Sequence, residues 1–437
     1  MKINKVLFLI PFLAISLSSC SKNEPQIIDP NNNKPVEPVD NNPVDTGPIL
    51  SNESIIYSSL LDNEKPLVKW EGRYEYKIGD TEIPNMVYLY HTATGFTVDF
   101  YGTSLSVSFY HYINPNSTNS ADIYYDYAID DETLPNLVNR RFHLRKDSRR
   151  DTIQLCEGLE EGHHTVKCLK MDEAKDAYTG VYYLKTDGKF YYRDKTEDNK
   201  NLKFMFICAS GGSGYGALAY SEVGPTDKTK STANSSSLHS FNYLTARRFS
   251  ADVMYVATSG WGVRYPETKQ ISQVLDKVGV TPSNNVEGAL ATGDWDYKRY
   301  IPDVVIFNIG GNDTKNSAFN VDNYKARVVE MVKKVYNYYP NAKMLWTHTA
   351  SNAGGYAINE LTKQGIMSQG YIYETVFYKV GHGKEGSGEG TYGASDHFSL
   401  KTQIDNAEII TEQLKTLGFN PTIDPVSFSD YEYEIER

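Results

Sequence analysis

Phe204-Met205-Phe206-Ile207-Cys208-Ala209-Ser210-Gly211-Gly212-Ser213-Gly214 is an apolar run of strand length that stops abruptly in serine and glycine. The same grammar returns downstream at Val253 to Val256, Val304 to Ile309 and Met344 to Trp346. Between these runs lie stretches long enough for crossover helices, which strands running in one direction require. Val321 to Tyr338 has helical spacing through Tyr324, Val328, Met331, Val332 and Val335. The segment Ile404 to Leu417 reads as a last helix, with Ile409, Ile410, Leu414 and Leu417 buried and Gly418 as its stop. The pattern predicts an α/β domain with a parallel sheet over residues 196–420. Its polar blocks fall at the C-terminal ends of strands, where open α/β sheets bind ligands.

Upstream, over 51–195, the pattern is that of strands alone. Phe96, Val98 and Phe100 alternate with polar residues, Gly102-Thr103 breaks the run, and Leu105, Val107 and Phe109 alternate again. That period of two predicts a hairpin, and a second hairpin is expected from Thr152 to Leu155 and Thr165 to Leu169. A β-sandwich is the economical architecture. The whole chain, 437 residues, is too long for one ordinary core and suits two domains with appendages.

Lys2 and Lys5 precede an apolar run from Val6 to Leu17, which ends in Leu17-Ser18-Ser19-Cys20. The run is too short to span a bilayer and reads as an export signal over 1–19. Leu-Ser-Ser-Cys resembles a bacterial lipobox, so lipidation of Cys20 and a cell-envelope location, at the outer membrane or cell surface, are expected. Residues 20–50, rich in asparagine and proline, read as a flexible tether. Removing two lysines with the signal takes the net charge from −11 to −13. So acidic a chain has little attraction for phosphate backbones, which argues against nucleic acid as a partner. Residues 421–437 form an acidic tail with no role assigned. Cys156 and Cys168 flank the second expected hairpin but would not lie opposite each other, which disfavours a disulfide. The 34 tyrosines suit β-rich surfaces and clefts for polar, flat ligands.

Four blocks carry the chemistry: Ala209-Ser210-Gly211-Gly212, Ser259-Gly260-Trp261-Gly262, Gly310-Gly311-Asn312-Asp313 and Ser395-Asp396-His397. Acyl transfer needs a hydroxyl to attack a carbonyl, an imidazole to take its proton, and amides to meet the developing oxyanion. Ser210 supplies the hydroxyl, and His397, in a loop before the last helix, the imidazole. Gly260 N–H, the Asn312 amide and Ser210 N–H are the candidate oxyanion donors. A P-loop is excluded because no Gly-Lys-Ser/Thr follows Ser210, and no Gly-x-Ser-x-Gly elbow is present. Trp261, Tyr215 and Trp346 are candidate aromatic platforms for substrate, with core packing as their alternative. No His, Cys and Asp cluster has metal-ligand spacing, and no cofactor is implied.

The order Ser, Gly, Asn, His resembles the SGNH, or GDSL-like, hydrolases, with Pro302 to Asp313 similar to their third block and its lead-in. Three upstream stretches resemble the N-terminal domain of carbohydrate esterase family 2: Trp70-Glu71-Gly72-Arg73, Phe100-Tyr101-Gly102-Thr103 and Gly158 to Val166. The resemblance implies a jelly-roll-like sandwich followed by a flavodoxin-like three-layer hydrolase domain. It further implies removal of O-acetyl groups from plant-type polysaccharides, with Ser210 as nucleophile, His397 as base, and Gly260 and Asn312 as oxyanion donors. Two departures stand out: Ala209 replaces the acid usual beside the nucleophile, and neither Ala394 nor Ser395 supplies the acid usual before the histidine. Either Asp396 or a backbone carbonyl then orients the ring. A glycan-binding lipoprotein with an impaired site, and a lipase or thioesterase of the same superfamily, are the rival readings.

Overall fold

The computed structural model describes residues 48–57, 65–113, 122–221, 228–281, 292–379 and 391–435. The export signal, Cys20 and most of the 20–50 tether lie outside the described residues. Strands of the first half are β1 (Ile55–Tyr57), β2 (Val68–Glu71), β3 (Tyr74–Lys77), β4 (Met86–Leu89), β5 (Gly95–Gly102) and β6 (Leu105–Ile113). They continue with β7 (Ile123–Ile129), β8 (Phe142–Leu144), β9 (Arg150–Cys156), β10 (Gly162–Lys170), β11 (Ala177–Thr186) and β12 (Lys189–Phe190). One antiparallel sheet runs β3-β4-β11-β6-β9 with β1 beside β11; the other runs β12-β5-β10-β7-β8 with β2 beside β5. The two stack as the expected sandwich.

Neither expected hairpin forms. β5 pairs with β10, β12 and β2, whereas its chain neighbour β6 pairs with β11 and β9 in the opposite sheet. β9 and β10 are likewise divided between the sheets. Alternation tells which side chains turn inward, not which strand lies alongside, and both strands of each pair satisfy it by facing each other across the core. Phe96, Val98 and Phe100 thus meet Leu105, Val107 and Phe109 in one dry cluster. Cys156 and Cys168 sit in that core in different sheets as free thiols, and Cys208 is free as well.

The second half adds β13 (Lys203–Cys208), β14 (Asp252–Ala257), β15 (Val304–Asn308), β16 (Lys343–His348) and β17 (Ile372–Val376), all parallel, in the order β14-β13-β15-β16-β17. Relabelled from its first strand this is 2-1-3-4-5, the flavodoxin-like order, with its reversal between β13 and β15. Successive residues alternate between layers. Met205, Ile207, Val305 and Phe307 pack with helices Val321–Tyr338 and Asn352–Lys363. Phe204, Phe206, Val304 and Ile306 pack with helices Phe241–Arg248 and Leu400–Thr416.

The halves are welded. Met86, Tyr88 and Tyr90, on the outer face of β4 and its extension, join the first of those hydrolase clusters. Arg73 is wholly buried and donates from Nη1 to the carbonyls of Leu275 at 2.7 Å and Lys277 at 2.6 Å. Burial lowers its pKa to about 10, and the guanidinium also lies 5.1 Å from the Trp295 ring. The acidic tail does more than hang free: Tyr431 is buried and donates to Pro135 O, and Tyr433 donates to Asn136 O at 2.8 Å. No described helix is long and apolar enough to cross a membrane.

Candidate active site

Ser210 leaves the end of β13 on a tight turn, held by Ser213 N–H to Ala209 O at 3.2 Å and Tyr215 N–H to Ser210 O at 3.2 Å. Gly214 has φ +70°, and a side chain there would collide with Ser236 O; glycine keeps the turn closed without strain. His397 arrives from the far end of the chain. The turn Ala394–Asp396 just before it is tied to the first loop by Ala394 N–H to Gly216 O at 2.9 Å. The helix that follows is capped by Ser399, whose hydroxyl accepts from Thr402 N–H.

These two segments put His397 Nε2 2.9 Å from Ser210 Oγ. On the other edge of the ring, Nδ1 lies 2.7 Å from the carbonyl oxygen of Ser395. A carbonyl oxygen can only accept, so Nδ1 carries the proton and Nε2 presents its lone pair to the serine hydroxyl. That is the tautomer a general base needs. Ser395 and Asp396 both adopt left-handed backbone, with φ of 52° and 56°, and this kink turns the Ser395 carbonyl inward. The Asp396 side chain is exposed and makes no hydrogen bond or ion pair with the ring. Of the two orienters open from sequence, the backbone carbonyl is the one in place. Burial pushes the His397 pKa below 6.5; the Ser395 carbonyl and Glu173 oppose that shift, while Lys315 and Lys175 add to it. The Tyr215 ring lies 4.3 Å from the imidazole, tilted by 37°, so this candidate sits in the site.

Gly260 follows β14 with φ +81°, is exposed, and would meet nothing within 4 Å if it bore a Cβ. Its N–H has no partner among the described residues, which leaves it available to a ligand. Asn312 follows β15 and donates from Nδ2 to Trp261 O at 2.7 Å. That bond uses one amide proton, fixes which end of the amide is nitrogen, and leaves the second proton for an oxyanion. Ser210, Gly260 and Asn312 therefore stand just past the C-terminal ends of β13, β14 and β15, around the sheet's reversal.

Two residues missed from sequence brace this arrangement. Asp313, wholly buried, accepts from Val263 N–H at 2.9 Å, Arg264 N–H at 2.7 Å and Tyr265 N–H at 2.8 Å, clamping the loop after Gly260 onto the Asn312 turn. Burial raises its pKa against the pull of those amides. Glu173 enters from the sandwich and accepts from Ser259 N–H at 3.0 Å and from the hydroxyls of Ser259 and Ser213. Asp313 carried a local signal, the Asn-Asp pair; Glu173, in a different domain, carried none.

Two expected platforms are not platforms. Trp261 and Trp346 have no exposed surface. Trp261 lies in the hydrolase core, and Trp346 stacks on Phe307 at 5.6 Å. Trp346 lies in a strand buried on both faces, where a large ring has nowhere to go but the core, and Trp261 turns into the same cluster from the loop after β14. Among the described residues no three or more His, Cys, Asp or Glu side chains gather as metal ligands would.

The chain matches two family models. Residues 72–191 match the carbohydrate esterase 2 N-terminal domain and 209–375 the GDSL-like lipase/acylhydrolase domain. It is 24% identical over 378 residues to the cellulase/esterase CelE of Acetivibrio thermocellus, covering 82% of this chain and 40% of that protein. It is 26% identical over 203 residues to an acetylxylan esterase / glucomannan deacetylase of Cellvibrio japonicus, covering 44% of this chain and 52% of that one. The chain thus spans about half or less of the length of these relatives. A family two carbohydrate esterase from Clostridium thermocellum, solved with cellohexaose, superposes with TM-score 0.63 at 22% identity, over 80% of this chain and 99% of that one. The acetyl xylan esterase Est2A from Butyrivibrio proteoclasticus gives 0.65 at 16%, over 85% and 99%.

Proposed function

We propose that this chain, an SGNH/GDSL-like hydrolase resembling carbohydrate esterase family 2, removes O-acetyl groups from polysaccharides or oligosaccharides through an acyl-enzyme. Ser210 Oγ attacks the acetyl carbonyl as His397 Nε2 takes its proton. Negative charge gathers on the carbonyl oxygen, where Gly260 N–H, Ser210 N–H and the free proton of Asn312 Nδ2 receive it. Collapse of the intermediate breaks the bond to the sugar oxygen, which takes the proton from His397 to become a hydroxyl, and leaves acetyl on Ser210. Water, deprotonated by the same imidazole, attacks next; acetate departs and Ser210 regains its proton.

The observation that carries this reading is the hydrogen-bonded chain from the Ser395 carbonyl through His397 to Ser210 Oγ, at 2.7 Å and 2.9 Å. A dyad so oriented lacks only the charge of a third member, not its geometry. Substrates named for the relatives, acetylated xylan and glucomannan, are the first to try. Release of acetate from them by the wild type, and its loss in a folded Ser210→Ala, supports the reading. Binding without release from any acetylated glycan would support the impaired glycan binder instead. Anchoring to the bacterial envelope through Cys20 is part of the same proposal and rests on Leu17-Ser18-Ser19-Cys20. It is tested by metabolic labelling with a fatty acid, which Cys20→Ala must abolish.

A further inference from the structure

Glu173 lies between β10 and β11 of the sandwich, yet the residue is 3% exposed and its carboxylate is seated among hydrolase-domain donors. Its donors come from two separate loops. Ser213 belongs to the turn that carries Ser210, its N–H closing on Ala209 O. Ser259 is the residue immediately before Gly260, and it gives both its N–H and its hydroxyl. No direct backbone hydrogen bond between residues 210–214 and 259–260 is seen among the described residues. What joins the two loops at that level is the carboxylate. Ala209 leaves the nucleophile's own block without an acid.

We infer that Glu173 is a positioning residue for the esterase reaction: a carboxylate lent by the sandwich domain that holds the nucleophile turn and the Gly260 turn in register, so that their amides face one oxyanion. The inference rests on the esterase reading of the site. A carboxylate suits the task because it accepts all three bonds at once, Oε1 from the two hydroxyls and Oε2 from Ser259 N–H, which can only donate. Glutamine in the same space would turn an NH2 group toward at least one of them. The negative charge also favours the imidazolium that forms on His397, against Lys175 and Lys315. The other charged groups around the Tyr215 wall are Lys230, 5.4 Å from that ring, and Asp176, which pairs with Lys230.

The test compares wild type, Ser210→Ala, Glu173→Gln and Ser259→Ala with p-nitrophenyl acetate and acetylated xylan, active sites being counted with a fluorophosphonate. Glu173→Gln is expected to lower kcat per titrated site on the order of 100-fold, as misplacing reacting groups by an ångström does, with KM nearly unchanged. The acidic limb of its kcat/KM profile moves to lower pH, since a charge favouring the imidazolium is gone. Ser259→Ala keeps that charge and two of the three bonds, so kcat falls only about threefold to tenfold, as loss of one hydrogen bond predicts, and its pH limb stays. A purely structural role would lower the number of titrated sites without moving the limb. Glu173→Gln with wild-type kcat per site, or with an unmoved limb, overturns the inference while the esterase reading stands on wild type and Ser210→Ala. Should Glu173→Gln not fold, an unchanged kcat in Ser259→Ala overturns it. A wild type that releases no acetate overturns both.

Discussion

Replacing Asp396 by asparagine is expected to leave the enzyme nearly as active as before. Asparagine tolerates the left-handed backbone that residue 396 adopts at φ 56°, so only the charge changes. That charge is exposed and outside hydrogen-bonding reach of the ring. A unit charge more than 4 Å away through water acts with at most about 1 kcal/mol, a factor of about five. A buried triad carboxylate, by contrast, is worth about 10⁴ in turnover. The mirror experiment is Ser395→Pro. Proline fixes φ near −65° where Ser395 has 52°, so the carbonyl must leave Nδ1 and the ring loses its tautomer. Residue 395 is exposed, and proline there also gives up the Ser395 N–H bond to Lys228 O at 3.1 Å and the hydroxyl's bond from Lys230 N–H at 3.1 Å; with folding checked by circular dichroism, kcat falls on the order of 1,000-fold. Both variants are measured with p-nitrophenyl acetate, initial rates divided by titrated serine. A loss of 100-fold or more in Asp396→Asn, with Ser395→Pro active, would refute the assignment of the backbone carbonyl as orienter.

Asn312→Ala removes one oxyanion donor and should cost on the order of 100-fold in kcat; a loss below threefold in steady-state kinetics would take Asn312 out of the hole. His397 must be neutral to act as base, and burial holds its pKa below 6.5, so activity persists as pH falls through 6.5 and fails only below it. A kcat/KM profile whose acidic midpoint lies at 7 or above would contradict that. Trp346→Ala opens a core cavity and is expected to cost about 3–5 kcal/mol in urea unfolding; a weakened KM with unchanged stability would restore its platform role. Asp313→Ala strands three buried N–H groups, each worth about 1–3 kcal/mol, so the melting temperature and kcat drop together.

The chemistry was easier to read from the sequence than the geometry that arranges it. Ser210 and His397 stand in short blocks whose residue types already limit what they can do, and the fold delivered them to bonding distance. Strand partners were harder: the inward faces of β5 and β6 were plain from alternation, but alternation is the same for a hairpin and for two strands on opposite sheets. Trp261 and Trp346 were misassigned because proximity in sequence to Gly260 or to a strand end does not say which way an indole points. The choice between Asp396 and Ser395 hung on two backbone torsions, which no side-chain pattern encodes. Glu173 was invisible because its partners are 40 and 86 positions away.

Arg73 decides how the molecule comes apart. Its guanidinium donates from Nη1 alone, to two carbonyls of the other half, while Nε and Nη2 have no hydrogen-bond partner among the described residues. Parting the halves would break both of those charge-assisted hydrogen bonds and uncover Met86, Tyr88 and Tyr90. Sandwich and hydrolase are therefore expected to unfold as one cooperative body, seen in calorimetry as a single transition.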